Sequence, residues 1–323
     1  MIRRALAAGA LALLLSAGVA SAAAPAGPRL AVVKTTWSPR RSTLLTVDPH
    51  GNYPMRLAGG QKGDSPVDSL VLSPLSWNPD GTKVAFTGVT EFFLAKADGS
   101  GAHPVNAGAA ESPVFAPDGH TVAFARFGRQ TAIWTIDLTN GEQRQLTPSR
   151  PGLRYYPSSF SPDGSTLLAT RIDNHRSGHS EPVALHLDTG GTTRLLPDGL
   201  EPVYSPDGLR IALFRTVGKR QPLPGVGKVP TTDLFILNTV TGSLRRLTRT
   251  PADDELFASW DPSGARLSFT RFRGHHYEWA DSIVQINADG SCETDVLPLV
   301  KRTVYYASAW QPGPSRKAGS LPC

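Results

Sequence analysis

Cysteine is almost absent from this chain: Cys292 and Cys323 are the only two in 323 residues. Two thiolates cannot complete a tetrahedral metal site by themselves. An even pair near the C-terminus reads instead as a disulfide that ties down the tail in an oxidising compartment. Long apolar runs are missing too. The run from Ala5 to Leu15 is too short to span a bilayer, and no later stretch approaches about 20 apolar residues, so no transmembrane segment is expected in the mature chain. There is no basic block either. The net charge of +6 falls to +4 without Arg3 and Arg4, and no aromatic-interleaved basic stripe remains to grip nucleic acid. Sustained helical periodicity and a G-x-S-x-G nucleophile elbow are both lacking, which removes the usual setting of a serine hydrolase.

The N-terminus has what the rest lacks. Met1-Ile2-Arg3-Arg4, the apolar run and Ala20-Ser21-Ala22 follow the order of a secretory signal. Residues 1–24 are therefore expected to be an export signal, cut after Ala22 or Ala24, and residues 25–323 a single domain working in the periplasm, the cell envelope or outside the cell. Arg3-Arg4 leaves the route, general secretory or twin-arginine, open.

Six segments place an aromatic residue two positions before a proline: Trp77-Asn78-Pro79, Phe115-Ala116-Pro117, Phe160-Ser161-Pro162, Tyr204-Ser205-Pro206, Trp260-Asp261-Pro262 and Trp310-Gln311-Pro312. The prolines lie 38, 45, 44, 56 and 50 residues apart, room for four short strands and their turns in each interval. Asp-Gly follows four of the prolines and Ser263-Gly264 a fifth, while Gly313 follows Pro312 directly. Pro fixes φ early in such a turn and Gly takes its left-handed position. Beyond each turn, alternation sets in at Val84/Phe86, Val122/Phe124, Leu167/Ala169, Ile211/Leu213 and Leu267/Phe269, predicting a strand with one strongly buried face. A second hairpin recurs, as in Asn140-Gly141 to Gln145-Leu146-Thr147 and Thr241-Gly242 to Arg246-Leu247-Thr248.

This W/F/Y-S-P-D-G unit, with its following I-A-F-like strand and T-G-x-x-x-x-L-T hairpin, resembles the TolB-type, WD-like propeller repeat. The resemblance covers roughly Arg29 to Gly313. It implies an all-β, six-bladed β-propeller of four-stranded antiparallel blades. The first unit starts at Arg29-Leu30-Ala31-Val32-Val33 without an aromatic-x-Pro strand, and the last such strand, Tyr305 to Trp310, has nothing after it. The C-terminal strand is therefore expected to join the N-terminal blade and close the ring. TolB itself has a separate domain ahead of its propeller, whereas here the signal runs almost directly into the first strand, so the resemblance is to the propeller portion only.

Alternating strand direction puts the loops after each second strand, and those entering each inner strand, on one face. Segments there look long: Ile172 to Pro182 with His175, Arg176 and His179, Thr216 to Thr231 with Lys219, Arg220 and Lys228, and Phe272 to Asp281 with His275, His276, Tyr277 and Trp279. Seven positions after the turn Gly, four units carry an arginine, Arg126, Arg171, Arg215 and Arg271; near the entry to the inner strands stand Glu111, Tyr155, Tyr156, Glu201, Glu255, Tyr305 and Tyr306. One reading is a funnel with guanidinium forks for carboxylates and tyrosines as stacking surfaces. The other pairs Arg126, Arg215 and Arg271 with Glu111, Glu201 and Glu255 of their own blades. Replacing Arg171 and Arg271 by alanine should weaken binding and spare stability on the first reading, and cost stability on the second.

Neither the histidines nor Asp253-Asp254-Glu255 show metal-ligand spacing, and adjacent histidines on an extended segment point to opposite sides, so neither a metal nor another cofactor is expected. The leading expectation is an exported, non-catalytic, monomeric binding or scaffold protein recognising a protein or glycan of the envelope through its loop face. The alternative is an extracytoplasmic propeller enzyme, a sugar lyase or hydrolase working at the channel mouth with Glu255 essential.

Overall fold

The computed structural model describes residues 27–37, 40–59, 73–128, 130–176, 178–217, 221–223, 227–229, 231–251, 253–273, 281–297, 300 and 302–313. Among these the regular structure is strand, apart from one 3-10 turn at Asn174–Arg176. In chain order the strands are β1 (Leu30–Trp37), β2 (Arg40–Val47) and β3 (Met55–Gly59); β4 (Ser76–Trp77), β5 (Lys83–Thr87), β6 (Phe92–Lys96) and β7 (Ala102–Pro104); β8 (Ala110–Phe115), β9 (Thr121–Arg126), β10 (Ala132–Asp137) and β11 (Gln143–Gln145). They continue with β12 (Leu153–Phe160), β13 (Thr166–Asp173), β14 (His179–His186) and β15 (Thr192–Arg194); β16 (Leu200–Tyr204), β17 (Arg210–Thr216), a small hairpin of β18 (Gln221–Leu223) and β19 (Gly227–Val229), β20 (Thr232–Asn238) and β21 (Leu244–Arg246). Last come β22 (Asp253–Trp260), β23 (Arg266–Arg273), β24 (Asp281–Asn287), β25 (Thr294–Leu297) and β26 (Thr303–Trp310).

Four groups form separate four-stranded antiparallel sheets: β4 to β7, β8 to β11, β12 to β15, and β16-β17-β20-β21. Apart from the two-stranded β18-β19 hairpin, the remaining eight strands form one sheet rather than the two further separate blades that the repeat count predicts. In it β22-β23-β24, with β25 on β24, meets β26-β1-β2-β3. The junction is a single parallel bridge, Asp281 to Val304, formed where β26 begins beside the start of β24. β26 runs antiparallel to β1 from Leu30↔Trp310 to Thr36↔Thr303.

The apolar clusters lie between successive sheets. Ala85, Phe92 and Leu94 pack against Phe115, Val122 and Phe124; Val114, Ala123 and Ile133 pack against Phe160, Leu167 and Val183. Ala31, Val33 and Leu57 in turn pack against Trp77, Val84 and Phe86. Sheets stacked face to face around a common axis make a β-propeller. The stacking also corrects the expectation of one buried face per second strand. Ala85, Ala123, Leu168, Ala212 and Ser268, which alternate with the apolar positions, are all fully buried, because these second strands are packed on both faces.

The turn motif explains its own residues. The Asp after each proline accepts the backbone N–H two positions on, Asp80 from Thr82 at 2.8 Å, Asp163 from Ser165 at 3.0 Å and Asp207 from Leu209 at 3.0 Å. The residue before the proline bridges the turn, with Asn78, Ser161, Ser205 and Asp261 accepting from Lys83, Thr166, Arg210 and Arg266. Ala116 cannot do so, and there Asp118 accepts the Thr121 N–H as well as that of His120.

Consecutive turns also stack: a β-carbon on Gly119, Gly164, Gly208 or Gly264 would meet Pro79, Pro117, Pro162 or Pro206 of the preceding unit. Gly81, at φ +70°, sits against the carbonyl of Pro312, with 2.6 Å between that oxygen and the site of a β-carbon. Gly141 has a similar φ of +76° but open space around it. Gly141→Ala should therefore cost about 1–2 kcal/mol from the left-handed backbone alone, whereas Gly81→Ala should lose roughly 1–3 kcal/mol more through the clash. Urea unfolding of the two variants checks this, and equal losses would show that the Pro312 contact yields freely.

Candidate functional site

The inner strands carry a repeated irregularity. Three residues before the aromatic, the chain bulges, and Ser112, Glu201, Phe257 and Ala307 take φ values of 54°, 51°, 61° and 49°. Each bulge turns an N–H toward the preceding sheet. Thr87, Thr170 and Thr270 accept those of Ser112, Glu201 and Ala307 at 3.0, 2.8 and 3.1 Å. The threonines occupy the sixth position after their turn glycines, where β9 and β17 have Ala125 and Phe214. Opposite Ala125 the bulge position holds Pro157, which has no N–H to satisfy. Opposite Phe214, the carboxylate of Glu201 accepts the Phe257 N–H at 2.7 Å instead.

Around the axis the innermost strands enclose a cavity of about 580 Å³ lined by Ser76, Phe115, Ser159, Glu201, Tyr204, Phe257, Trp260 and Trp310 among others, and reaching the turn prolines. Of the candidate site residues only Glu201 lines it. Tyr155, Glu255 and Tyr305, five residues before their aromatics, are buried between sheets. Tyr306 is buried as well, against Thr35, and Tyr156 is half-buried. His275 and Trp279 lie outside the described residues, as do His276, Tyr277, Lys219, Arg220 and Cys323, and with Cys323 the expected pairing to Cys292.

The four equivalent arginines have different surroundings. Arg271 is buried and donates through Nε and Nη2 to Glu255 Oε1 at 3.1 and 2.8 Å, and through Nη1 to Glu293 at 2.5 Å. Burial pulls its pKa down, but Glu293 and Glu255 more than offset this and leave it above the usual value. Arg171 pairs with Glu181, its cross-strand partner, which is almost fully buried. Arg215 pairs with Asp198 at 2.5 Å. Arg126 donates to the Ala107 carbonyl and to Gln143, and stacks 4.1 Å above Trp134. The own-blade pairing thus holds for Arg271 with Glu255, but Arg126 and Arg215 turn to partners other than Glu111 and Glu201. The reason is register: Glu255 stands two residues before its bulge, Glu111 one, and Glu201 is the bulge residue itself.

Residues that the sequence did not single out complete this face. Glu255 also accepts from Thr248, Thr250 and the Leu234 N–H, while Asp233 takes Arg246 and Thr250. Burial raises the Glu201 carboxyl to about 7, with the Phe257 N–H opposing the rise and the Asp254 charge adding to it. Asp254 is raised by burial against the pull of Thr232, and Asp281 is pushed up to about 7 by burial alone. The long segment Ile172 to Pro182 is mostly strand, because β13 and β14 pair as far as Asp173↔His179. His175 and His179 each direct Nε2 at a backbone carbonyl, Pro151 at 3.0 Å and Pro197 at 2.7 Å. Among the described residues no three His, Cys, Asp or Glu side chains form a group able to hold a metal.

No family model matches the chain, and no curated relative matches it in sequence. Solved structures do match in shape. TolB from Acinetobacter baumannii superposes with a TM-score of 0.69 at 21% identity, over 88% of this chain and 67% of that one. A putative TolB from Agrobacterium tumefaciens gives 0.61 at 17%, over 89% and 100% of the two chains. A chain of a nidogen/laminin complex gives 0.62 at 14%, over 88% and 98%. The fold is a TolB-like β-propeller. At these identities the likeness speaks for the fold alone, and among the described residues no helix is long and apolar enough to cross a membrane.

Two outcomes are expected from this geometry. Arg271→Ala strands a buried Glu255 and should cost about 3–5 kcal/mol in urea unfolding, in contrast to the stability-neutral change that the open-funnel reading expects. For Glu201, the folded chain holds a proton between about pH 4.5 and about pH 7 that the unfolded chain has released. Its contribution is thus favourable at the acid end and is lost as pH rises through that window, by about 1–3 kcal/mol. Glu201→Gln should flatten that decline, leaving the part due to Asp281; an unchanged pH profile would show that Glu201 is ionised in the fold at little cost.

Proposed function

We propose that this chain is an exported, non-catalytic binding module, a six-bladed propeller that recognises a protein or glycan partner of the cell envelope through its loop face. On this reading residues 1–24 are the export signal and 25–323 one domain, monomeric, in the periplasm or outside the cell. The eight-stranded sheet is then two blades joined at the Asp281–Val304 bridge, and β26 closes the ring by pairing with β1. The Trp77 indole N–H donating to the Ala309 carbonyl at 3.0 Å and Gly81 seated on Pro312 support that closure.

The asymmetry of the two faces carries the functional reading. On the turn face, the Asp carboxylates are committed to their own backbones and the glycines to neighbouring prolines, so this face repeats one structural motif. The other face gathers Arg154, His175 and Arg176, which the other units do not repeat, beside the recurrent arginine position of Arg126, and such variation is the usual condition of a binding surface on a rigid scaffold. Its most strongly held acid, Glu255, is fully buried under Arg271, Thr248, Thr250 and a backbone N–H. A carboxylate so occupied is poorly placed to exchange a proton with a substrate, which favours binding over the lyase or hydrolase alternative. A similar propeller belongs to a nidogen/laminin complex, a protein assembly.

The test compares faces. Arg154 and Arg176 are exposed on the loop face, and Leu209 and Val240 are 52% and 77% exposed on the turn face. A partner first identified by crosslinking in the envelope, or a cell-wall fragment found by thermal shift, should bind at least about tenfold more weakly to Arg154→Glu/Arg176→Glu. Leu209→Ser/Val240→Ser should bind as the parent does. The reverse pattern would overturn the loop-face reading.

A further inference from the structure

Four units of one repeat provide an internal comparison at the seventh position after the turn glycine. Arg171, Arg215 and Arg271 each meet a carboxylate, from Glu181, Asp198, and Glu255 with Glu293. Arg126 meets none among the described residues. Its Nε and Nη2 donate to the Ala107 carbonyl at 3.2 and 2.9 Å, and Nη2 also donates to the neutral Gln143 amide. Glu111, the acid that an own-blade pairing would assign to it, has Arg154 as its charged neighbour. The Arg126 guanidinium lies over two rings, 4.1 Å from the Trp134 centroid and 5.3 Å from that of Phe124. It is oriented without being neutralised, and burial lowers its pKa with no acid to offset the effect.

Beside it lies a concavity of about 330 Å³ lined by Arg126, Phe127, Gly128, Gln130, Trp134 and Ser149. Phe127 is 43% exposed, one of few large apolar side chains left open to solvent. A preoriented, half-buried guanidinium without an acid favours an incoming carboxylate by charge-assisted hydrogen bonding. Phe127 offers an apolar contact next to it. Among the described lining residues Gln130, Ser149 and the Trp134 indole are the other side chains able to hydrogen-bond, fewer than the several hydroxyls of a sugar ring call for.

We infer that the Arg126 concavity is a binding site for an acidic peptide segment, taking a side-chain carboxylate on Arg126 and an adjoining apolar side chain on Phe127. The inference rests on the reading of this face as the binding face and gives that face a ligand class.

The probe is the blocked dipeptide N-acetyl-Phe-Glu-amide, titrated calorimetrically against the mature protein beside its isostere N-acetyl-Phe-Gln-amide and against galacturonate. The acid should bind about tenfold more tightly than the isostere, the size expected for one hydrogen bond to a charged group. Arg126→Gln should abolish that preference. Ser149→Glu, which sets a carboxylate at the rim of the concavity and leaves β9 untouched, should do the same, so the result does not depend on the folding of one variant. Equal affinity for acid and isostere, a preference that survives both variants, or tighter binding of galacturonate than of the dipeptide would overturn the proposal. If the preference is absent while Arg154→Glu/Arg176→Glu still releases an envelope partner, the ligand assignment fails and the face stands. If those variants retain the partner as well, the face reading fails with it.

Discussion

Everything in this fold depends on how closely one sheet can approach the next at the axis. The sheets are wedges, and their narrow edges meet through contacts that leave no room for error. A proline of one turn rests on the glycine of the next, and a bulged N–H of one inner strand reaches a threonine of the preceding sheet. Glycine suits these turns because their φ of +69° to +79° is left-handed, and at Gly81 a β-carbon would also overlap the Pro312 carbonyl. The threonine is needed because a backbone N–H that the bulge turns toward the core is costly unless it finds an acceptor. Once these contacts fix the spacing, the second strand of every sheet is sandwiched on both faces, and the large apolar side chains Phe86, Phe124, Phe214 and Phe269 become fully buried.

The same constraint explains which features were legible in the sequence. Aromatic-x-Pro, Asp-Gly and the alternating strand are local signals, and the turns and strands they mark lie where expected. The bulge is not a local signal. One extra residue in an inner strand reverses which side chains face the axis and which face the neighbouring sheet. Tyr155, Glu255 and Tyr305, expected at the entry to the inner strands as part of a funnel, are buried between sheets. Glu201 alone occupies the bulge itself, and it alone lines the cavity. The partners of the arginines were hidden for a related reason. Glu181 opposes Arg171 only once the β13–β14 register is known, and Asp198 reaches Arg215 from a connection whose course no pattern specifies.

Internal repetition nevertheless holds information that a single motif does not. Position by position, acceptor and donor vary together: threonine where the next bulge has an N–H, alanine where it has proline. Such matched changes within one chain are a physical argument for contact, because each avoids an unsatisfied group that the other would create. The pairing of Ala125 with Pro157 is therefore as informative as that of Thr170 with Glu201.

The exception, Phe214, shows how a repeat accommodates a change. Phenylalanine adds apolar contact between β17 and its neighbours but offers no acceptor, so the Phe257 N–H must be met from elsewhere. Glu201 meets it, and in doing so brings a carboxyl to the cavity wall near Asp254 with no cation against it. A glutamine there would satisfy the same N–H without the cost of burying a charge. A carboxyl in that position therefore weakens the fold at neutral pH without being needed for the hydrogen bond it makes. The arginine ring has the opposite imbalance, with Arg126 left as a cation without an acid. The chain thus departs from its own repeat twice, once with an unneutralised acid on the axis and once with an unneutralised base on the loop face. Such departures are where interaction with something outside the chain has most to gain.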